Sequence, residues 1–329
     1  MKCHCLNQIC KRTKLLLILA LIGCHREEKV SEPVYKGIKL GDWLQQTQLK
    51  GNDLVLQDGA VEAVRALGTN ALPWLIREVT AEESQGTHLQ HYFDGTPTAY
   101  DRNEKVVPAF QVLGAVAAPA VAPLARTFEA WENYSSARSC SIRALAAIGP
   151  AAIPALCKGL TNAAPDSRRE CAEALSSLPP ADEETVAALV KGLGDPDPVV
   201  RSAMATALGT LQADPDTVVP ALMKAVLMAP TYVEHPLPRT QIAGTPARLI
   251  MVDPKAFHEP GRSRWQFQEA AEERDFQVAA INALAAFGSK ARSVAPQLMS
   301  YQSTIASKND RDEDRVISAI EEARARIGT

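Results

Sequence analysis

The residues with the donor types for chemistry fall into a few groups. His88 and His91, with Asp94 and Asp101 after them, carry the nitrogen and oxygen ligands of a zinc site. Such a site needs three or four ligands held by supporting partners. Two histidines in a polar stretch are usually surface residues, and the spacing predicts no metal centre. Asp310, Asp312 and Asp314, with Ser318 and Glu321, reproduce the carboxylate spacing of a calcium loop, but Arg315 stands where that loop requires glycine. The same acids suit a helix start, with Asp310 as the cap and Glu313 three residues on. Cys140, Cys157 and Cys171 remain as thiols. The latter two occupy apolar positions and read as small buried hydrophobes, with a pairing between them left open. Nucleophile elbows, phosphate loops and paired-histidine zinc helices are absent, and His258-Glu259 lacks a second histidine. The sequence therefore predicts no catalytic residue, no metal, no cofactor and no small-molecule substrate.

Six aromatic residues are the candidates for contact with a partner: Tyr92, Phe93, Tyr100, Tyr232, Trp265 and Phe267. Aromatic anchors are enriched at protein interfaces, although these could instead fold back onto their own chain. They lie in or beside two segments, residues 82–104 and 231–274, that interrupt an otherwise regular helical pattern. In the second, Pro230, Pro236, Pro238, Pro254 and Pro260 argue against long helices. Long inserts in a compact array are the places to look for specificity.

The elements that position these groups are helices in pairs. Apolar residues make up 46% of the chain but aromatics only 5%, a profile of short helices packed closely through small side chains. Self-similar units join an amphipathic helix ending near glycine to one opening near proline. They are Ala60–Gly68 with Leu72–Val79, Val107–Gly114 with Val121–Phe128, Ser141–Gly149 with Ile153–Leu160, Val199–Gly209 with Val218–Leu227, and Val278–Gly288 with Val294–Tyr301. A degenerate unit, Arg168–Ser176 with Glu184–Leu193, fills the gap after the third. Val200, Ala203, Met204, Ala207, Leu208 and Leu211 form one helical stripe. Gly68, Gly114, Gly149 and Gly209 suit left-handed helix ends, and Pro73, Pro123, Pro154 and Pro220 suit first turns. A short opening helix is expected near Asp42, and the stripe Val316, Ile317, Ile320, Ala323 and Ile327 reads as a terminal capping helix.

The stretch Leu193-Gly194-Asp195-Pro196-Asp197-Pro198-Val199-Val200-Arg201, continuing to Gly209, resembles a HEAT repeat of the phycobilisome-lyase type. Shifting by 33 residues sets Leu160, Arg168 and Cys171 against Leu193, Arg201 and Met204. Ala60, Ser141 and Ala280 replace the arginine elsewhere, so a regular Asp–Arg ladder is not expected. The opening around Trp43 and Trp74 resembles exported bacterial HEAT-repeat proteins. The resemblance implies an all-α, right-handed α-solenoid of about six helix pairs over residues 35–329. It speaks for architecture and hardly for function.

Lys11-Arg12-Thr13-Lys14, an apolar run from Leu15 to Ile22 and then Gly23-Cys24 read as an export signal, with a run too short to span a bilayer. Leu21-Ile22-Gly23-Cys24 resembles the lipobox of bacterial lipoproteins. By that resemblance residues 1–23 are removed and Cys24 carries the lipid that holds the protein to a membrane. His25 rather than aspartate after it implies, by the same resemblance, the periplasmic face of the outer membrane. Residues 24–34 read as a flexible tether.

The chain's formal charge is −3. Its first 23 residues hold four cations and no acid, which leaves −7 on the rest, and a mildly acidic surface argues against nucleic acid. The expectation is a lipid-anchored envelope scaffold that binds a protein partner through its array and inserts, without catalysis. The alternatives are a tetrapyrrole-handling enzyme, by analogy with HEAT-like bilin lyases, and a passive structural spacer.

Overall fold

The computed structural model describes residues 30–50, 53–82, 98–130, 136–178, 182–229, 264–307 and 313–328. The described chain opens with two small hairpins. Strands β1 (Val34–Tyr35) and β2 (Ile38–Lys39) pair antiparallel, and Lys36 and Gly37 between them both have positive φ, the two-residue turn whose twist matches the strands. Helix α1 (Leu40–Leu44) follows, then β3 (Thr47–Lys50) and β4 (Asp53–Leu56), paired with Lys50 opposite Asp53. Leu40, Leu44 and Leu56 are buried and close the first end of the array. The Trp43 indole nitrogen donates to the Tyr35 carbonyl at 3.2 Å, and the Tyr35 hydroxyl donates to Glu62 at 2.9 Å. The expected opening helix begins at Leu40, and the hairpins around it were not anticipated. A Gly-Asn pair at 51–52 was the available signal.

Helix pairs make up the rest, in chain order α2 (Asp58–Leu67) with α3 (Leu72–Val79), α4 (Ala99–Leu113) with α5 (Val121–Ala130), and α6 (Ser136–Ile148) with α7 (Ile153–Gly159). Then come α8 (Pro165–Ser176) with α9 (Glu183–Gly192), α10 (Pro198–Leu211) with α11 (Pro215–Met228), and α12 (Arg264–Ala286) with α13 (Ala295–Ala306). Helix α14 (Asp314–Ile327) closes the array. Each even-numbered helix packs on the even-numbered helices before and after it, and from α5 on the odd-numbered helices form a second row. The result is an all-α solenoid of six pairs and a terminal helix, with one continuous core between its two layers.

The punctuation residues explain most boundaries. Gly68, Gly114, Gly149 and Gly288 all have positive φ; three of them open, and Gly149 immediately precedes, the short 3-10 turn that joins the helices of a pair. Gly209 is the exception. It lies inside α10, where an added Cβ would come within 2.7 Å of the Ala283 Cα on α12, and Gln212 takes the left-handed position instead, at φ 48°. This glycine therefore permits a close helix crossing and does not end a helix. Pro73 and Pro154 are second in their helices and Pro123 third, but Pro220 is interior to α11, which begins at Pro215.

Two further boundaries differ from the sequence reading. Helix α4 begins at Ala99 behind a capping box, in which the Thr98 side chain accepts from the Asp101 amide and Asp101 accepts from the Thr98 amide. Helix α12 begins at Arg264, so its first eleven residues replace the end of the expected second insert. The terminal stripe is buried as expected, with Ile317 half-buried. Glu313 precedes the helix without a side-chain cap bond, and Asp310 lies outside the described residues.

Candidate functional site

The even-numbered helices carry charge at their contacts. Arg168, on α8, makes a bidentate ion pair with Asp195, Nε to Oδ2 at 2.7 Å and Nη2 to Oδ1 at 2.8 Å, and its Nη1 donates to the carbonyls of Asn162 and Ala163. One repeat later, Nη1 of Arg201 donates to the carbonyls of Asp195 and Pro196 while Nη2 pairs with Glu273 of α12. Asn162 accepts from the Ala164 amide and Asp195 from the Asp197 amide, again 33 residues apart. Arg138, fully buried on α6, lies 3.7 Å from Asp166 of α8. The ladder of cation and carboxylate is thus continuous over three joints, although its residues are not at one repeat position. Glu273 was beyond sequence reasoning, since nothing local marks a partner 72 residues from Arg201.

Beside this ladder a groove of about 590 Å³ crosses α4, α6 and α8. Its charged lining is paired within itself. Arg143 donates to both oxygens of Glu104 at 2.6 Å, Ser139 donates to Glu170, and Arg169 contacts Glu170 and Glu173. The Cys140 thiol lies in the wall and donates to Glu104 at 3.6 Å. Burial first, and the Glu104 carboxylate second, push its pKa up to about 12, so the thiolate needed of a nucleophile is suppressed at neutral pH. Burial also raises the Cys157 and Cys171 thiols. All three are free in this structure, and the Cys157 sulfur lies 3.5 Å from the Thr185 hydroxyl.

Of the aromatic candidates, Tyr100 is in the first turn of α4 at the rim of the groove, 55% exposed. Trp265 and Phe267 belong by their backbone to the opening of α12. Tyr92, Phe93 and Tyr232 lie outside the described residues, as do Cys24, His88, His91 and Asp94. Asp101, the remaining member of that zinc-like group, is committed to the α4 cap. Among the described residues no group of three or more His, Cys, Asp or Glu side chains is arranged to hold a metal ion. Tyr100 is thus the one aromatic candidate whose side chain is described.

Repetition at 33 residues, paired helices and stacked neighbours now stand together, and comparison with known families agrees. Residues 153–234 match the protein-family model described as HEAT repeats. This part of the chain is a HEAT array. The match covers α7 through α11, where the arginine ladder repeats most regularly, and the same two-layer stacking of HEAT type continues on both sides of it. A search of curated proteins finds no match to the chain. HEAT repeats serve as protein-interaction scaffolds, because stacked units present long uninterrupted surfaces.

Proposed function

We propose that this chain is a lipid-anchored scaffold of the bacterial cell envelope, which holds a protein partner on its HEAT array and performs no chemistry on it. The observation that carries the reading is the array itself: helix pairs stacked into long surfaces, with the groove's ionisable groups engaged with one another. Anchoring rests on the cationic segment, the apolar run and Cys24. The reading puts the protein on the periplasmic face of the outer membrane, with residues 82–104 and 231–274 and the exposed Tyr100 helping to select the partner.

Two experiments test it. Mass spectrometry of the mature protein should show a lipid increment on Cys24, and Cys24→Ser should lose it and release the chain from membranes. Retention of the variant on membranes would sink the anchor. Crosslinking in intact cells, followed by capture of the chain, should return one reproducible protein partner. Capture of none would remove the scaffold.

A further inference from the structure

The odd-numbered helices share a register that neither the family match nor the groove discloses. Each carries a fully buried leucine: Leu75, Leu124, Leu156, Leu189, Leu222 and Leu298, one per helix from α3 to α13. Two residues after the first five stand Arg77, Arg126, Lys158, Lys191 and Lys224, all exposed. Two residues turn a helix by about 200°, so each cation points away from the core that holds its leucine. The helices α5, α7, α9 and α11 pack in succession, and adjacent axes lie about 8–10 Å apart, so four of these cations form one line about 25–30 Å long. Arg77 is already engaged by Glu78 and the Val30 carbonyl. Among the described residues, Arg126, Lys191 and Lys224 join no ion pair.

The line is narrow and has a sign. On α9 and α11 the acids Glu183, Glu184 and Asp216 occupy the first turn, seven or eight residues before the cation and about 10–12 Å from it along the axis. A flat anionic surface would meet those carboxylates as well as the cations, whereas a chain one strand wide meets the cations alone. A peptide in the extended polyproline II conformation advances about 3.1 Å per residue with three residues per turn, so acids at every third position share one face and match one cation per helix. At the end of the line Leu227 and Met228 follow Lys224 by three and four residues on the same face, 50% and 71% exposed, with Met299 exposed on the neighbouring α13.

We infer that the outer ridge of α5, α7, α9 and α11 binds an extended acidic polypeptide segment, with acids at about every third residue and a large apolar residue at the end that meets Leu227 and Met228. The inference rests on the scaffold reading and gives its partner a chemistry. The probe is a fluorescein-labelled peptide of about twelve residues, with glutamate at every third position and Leu-Phe at one end, titrated into the full-length chain in detergent micelles. The four-site variant R126Q/K158Q/K191Q/K224Q should bind at least roughly tenfold more weakly, since each exposed pair contributes modestly. L227S/M228S should also weaken binding, and added salt should weaken the wild type. The glutamine analogue of the peptide should not bind.

Failure of the glutamate peptide to bind, or equal affinity for wild type and four-site variant, overturns the inference. Binding to phosphatidylglycerol vesicles or oligo-dT in place of the peptide overturns it in favour of a membrane or nucleic acid. Circular dichroism of the four-site variant shows that its fold is kept. In cells, a partner that crosslinks equally to wild type and variant leaves the scaffold standing and removes only the acidic ridge, whereas no partner on wild type removes the scaffold.

Discussion

The two layers of this solenoid use charge in opposite ways. The even-numbered helices direct arginines at carboxylates of the next unit, and Arg168 and Asp195 are nearly withdrawn from solvent, at 11% and 9% side-chain exposure. The odd-numbered helices set their cations two residues past a buried leucine, facing water. Withdrawn, paired charge fixes how units stack, because a mismatched neighbour leaves an ion without its partner. Exposed charge contributes little to folding, and Arg126, Lys191 and Lys224, which join no ion pair among the described residues, can meet something else. One layer therefore holds the array together and the other is available for recognition.

The strongest way to break that contrast is at the joint between α8 and α10. Arg168→Ala leaves Asp195 without its bidentate partner and removes the donor to two loop carbonyls. Removing one member of a buried pair costs about 3–5 kcal/mol. Urea denaturation should show a loss of that size, and a loss below about 1 kcal/mol, the range of exposed pairs, would place this pair with the surface ones.

Next in size is the crossing of α10 and α12. Gly209→Val puts a branched side chain where Ala283 backbone already stands at 2.7 Å, and the helices must separate. Overpacking of this kind costs about 1–3 kcal/mol. The same change at exposed Gly194, whose nearest neighbour is 3.6 Å away, should cost less, and equal midpoints for the two variants would remove the special role of the crossing.

A smaller effect follows pH. Burial, helped by the nearby Glu313 carboxylate, raises the Tyr301 phenol to about 12 from an ordinary value near 10, and its hydroxyl is buried without a hydrogen-bond partner. The folded state resists ionisation that the unfolded chain allows. Stability is therefore whole below pH ~10 and declines as pH rises from ~10 through ~12. Tyr301→Phe should be nearly neutral at pH 7 and should blunt that alkaline decline in thermal melts, together with whatever part Cys140 contributes. An identical alkaline profile would assign the loss elsewhere.

How much of this was legible in the sequence follows from how local each signal is. The six pairs were readable because apolar period and helix-end residues repeat within each unit. Gly209 was misread because a glycine at a helix crossing and one at a helix end look the same until a second helix is placed against it. The hairpins at 34–39 and 47–56 were missed because strands of two and four residues give too little alternation to compete with helical patterning. The opening of α12 was hidden by prolines shortly before it, which outweighed the Ser263-x-x-Gln266 pattern of a helix start. Of the candidate contact residues, chosen by type, Tyr100 has a described and exposed side chain. The groove's Glu104, Arg143 and Glu170 read as ordinary solvated helix charges until their pairing across helices was seen. The cation row required aligning the second helices by their buried leucines, a register that a single helix does not contain.

The smallest effect on stability is the one that most sharpens the comparison. Arg126, Lys158, Lys191 and Lys224 are exposed, and surface substitutions away from special features fall within about 0.5 kcal/mol each. Neutralising all four should therefore leave the denaturation midpoint almost where it was, although Lys158 and Lys191 lie in last turns where a cation favours the helix end slightly. If R126Q/K158Q/K191Q/K224Q destabilises the array as much as R168A alone, both layers use their charge for stacking and the division of labour fails. If it costs almost nothing, the four aligned cations on α5 to α11 are not explained by stability, and recognition remains the physical reason for a row of like charge on a chain whose body is acidic.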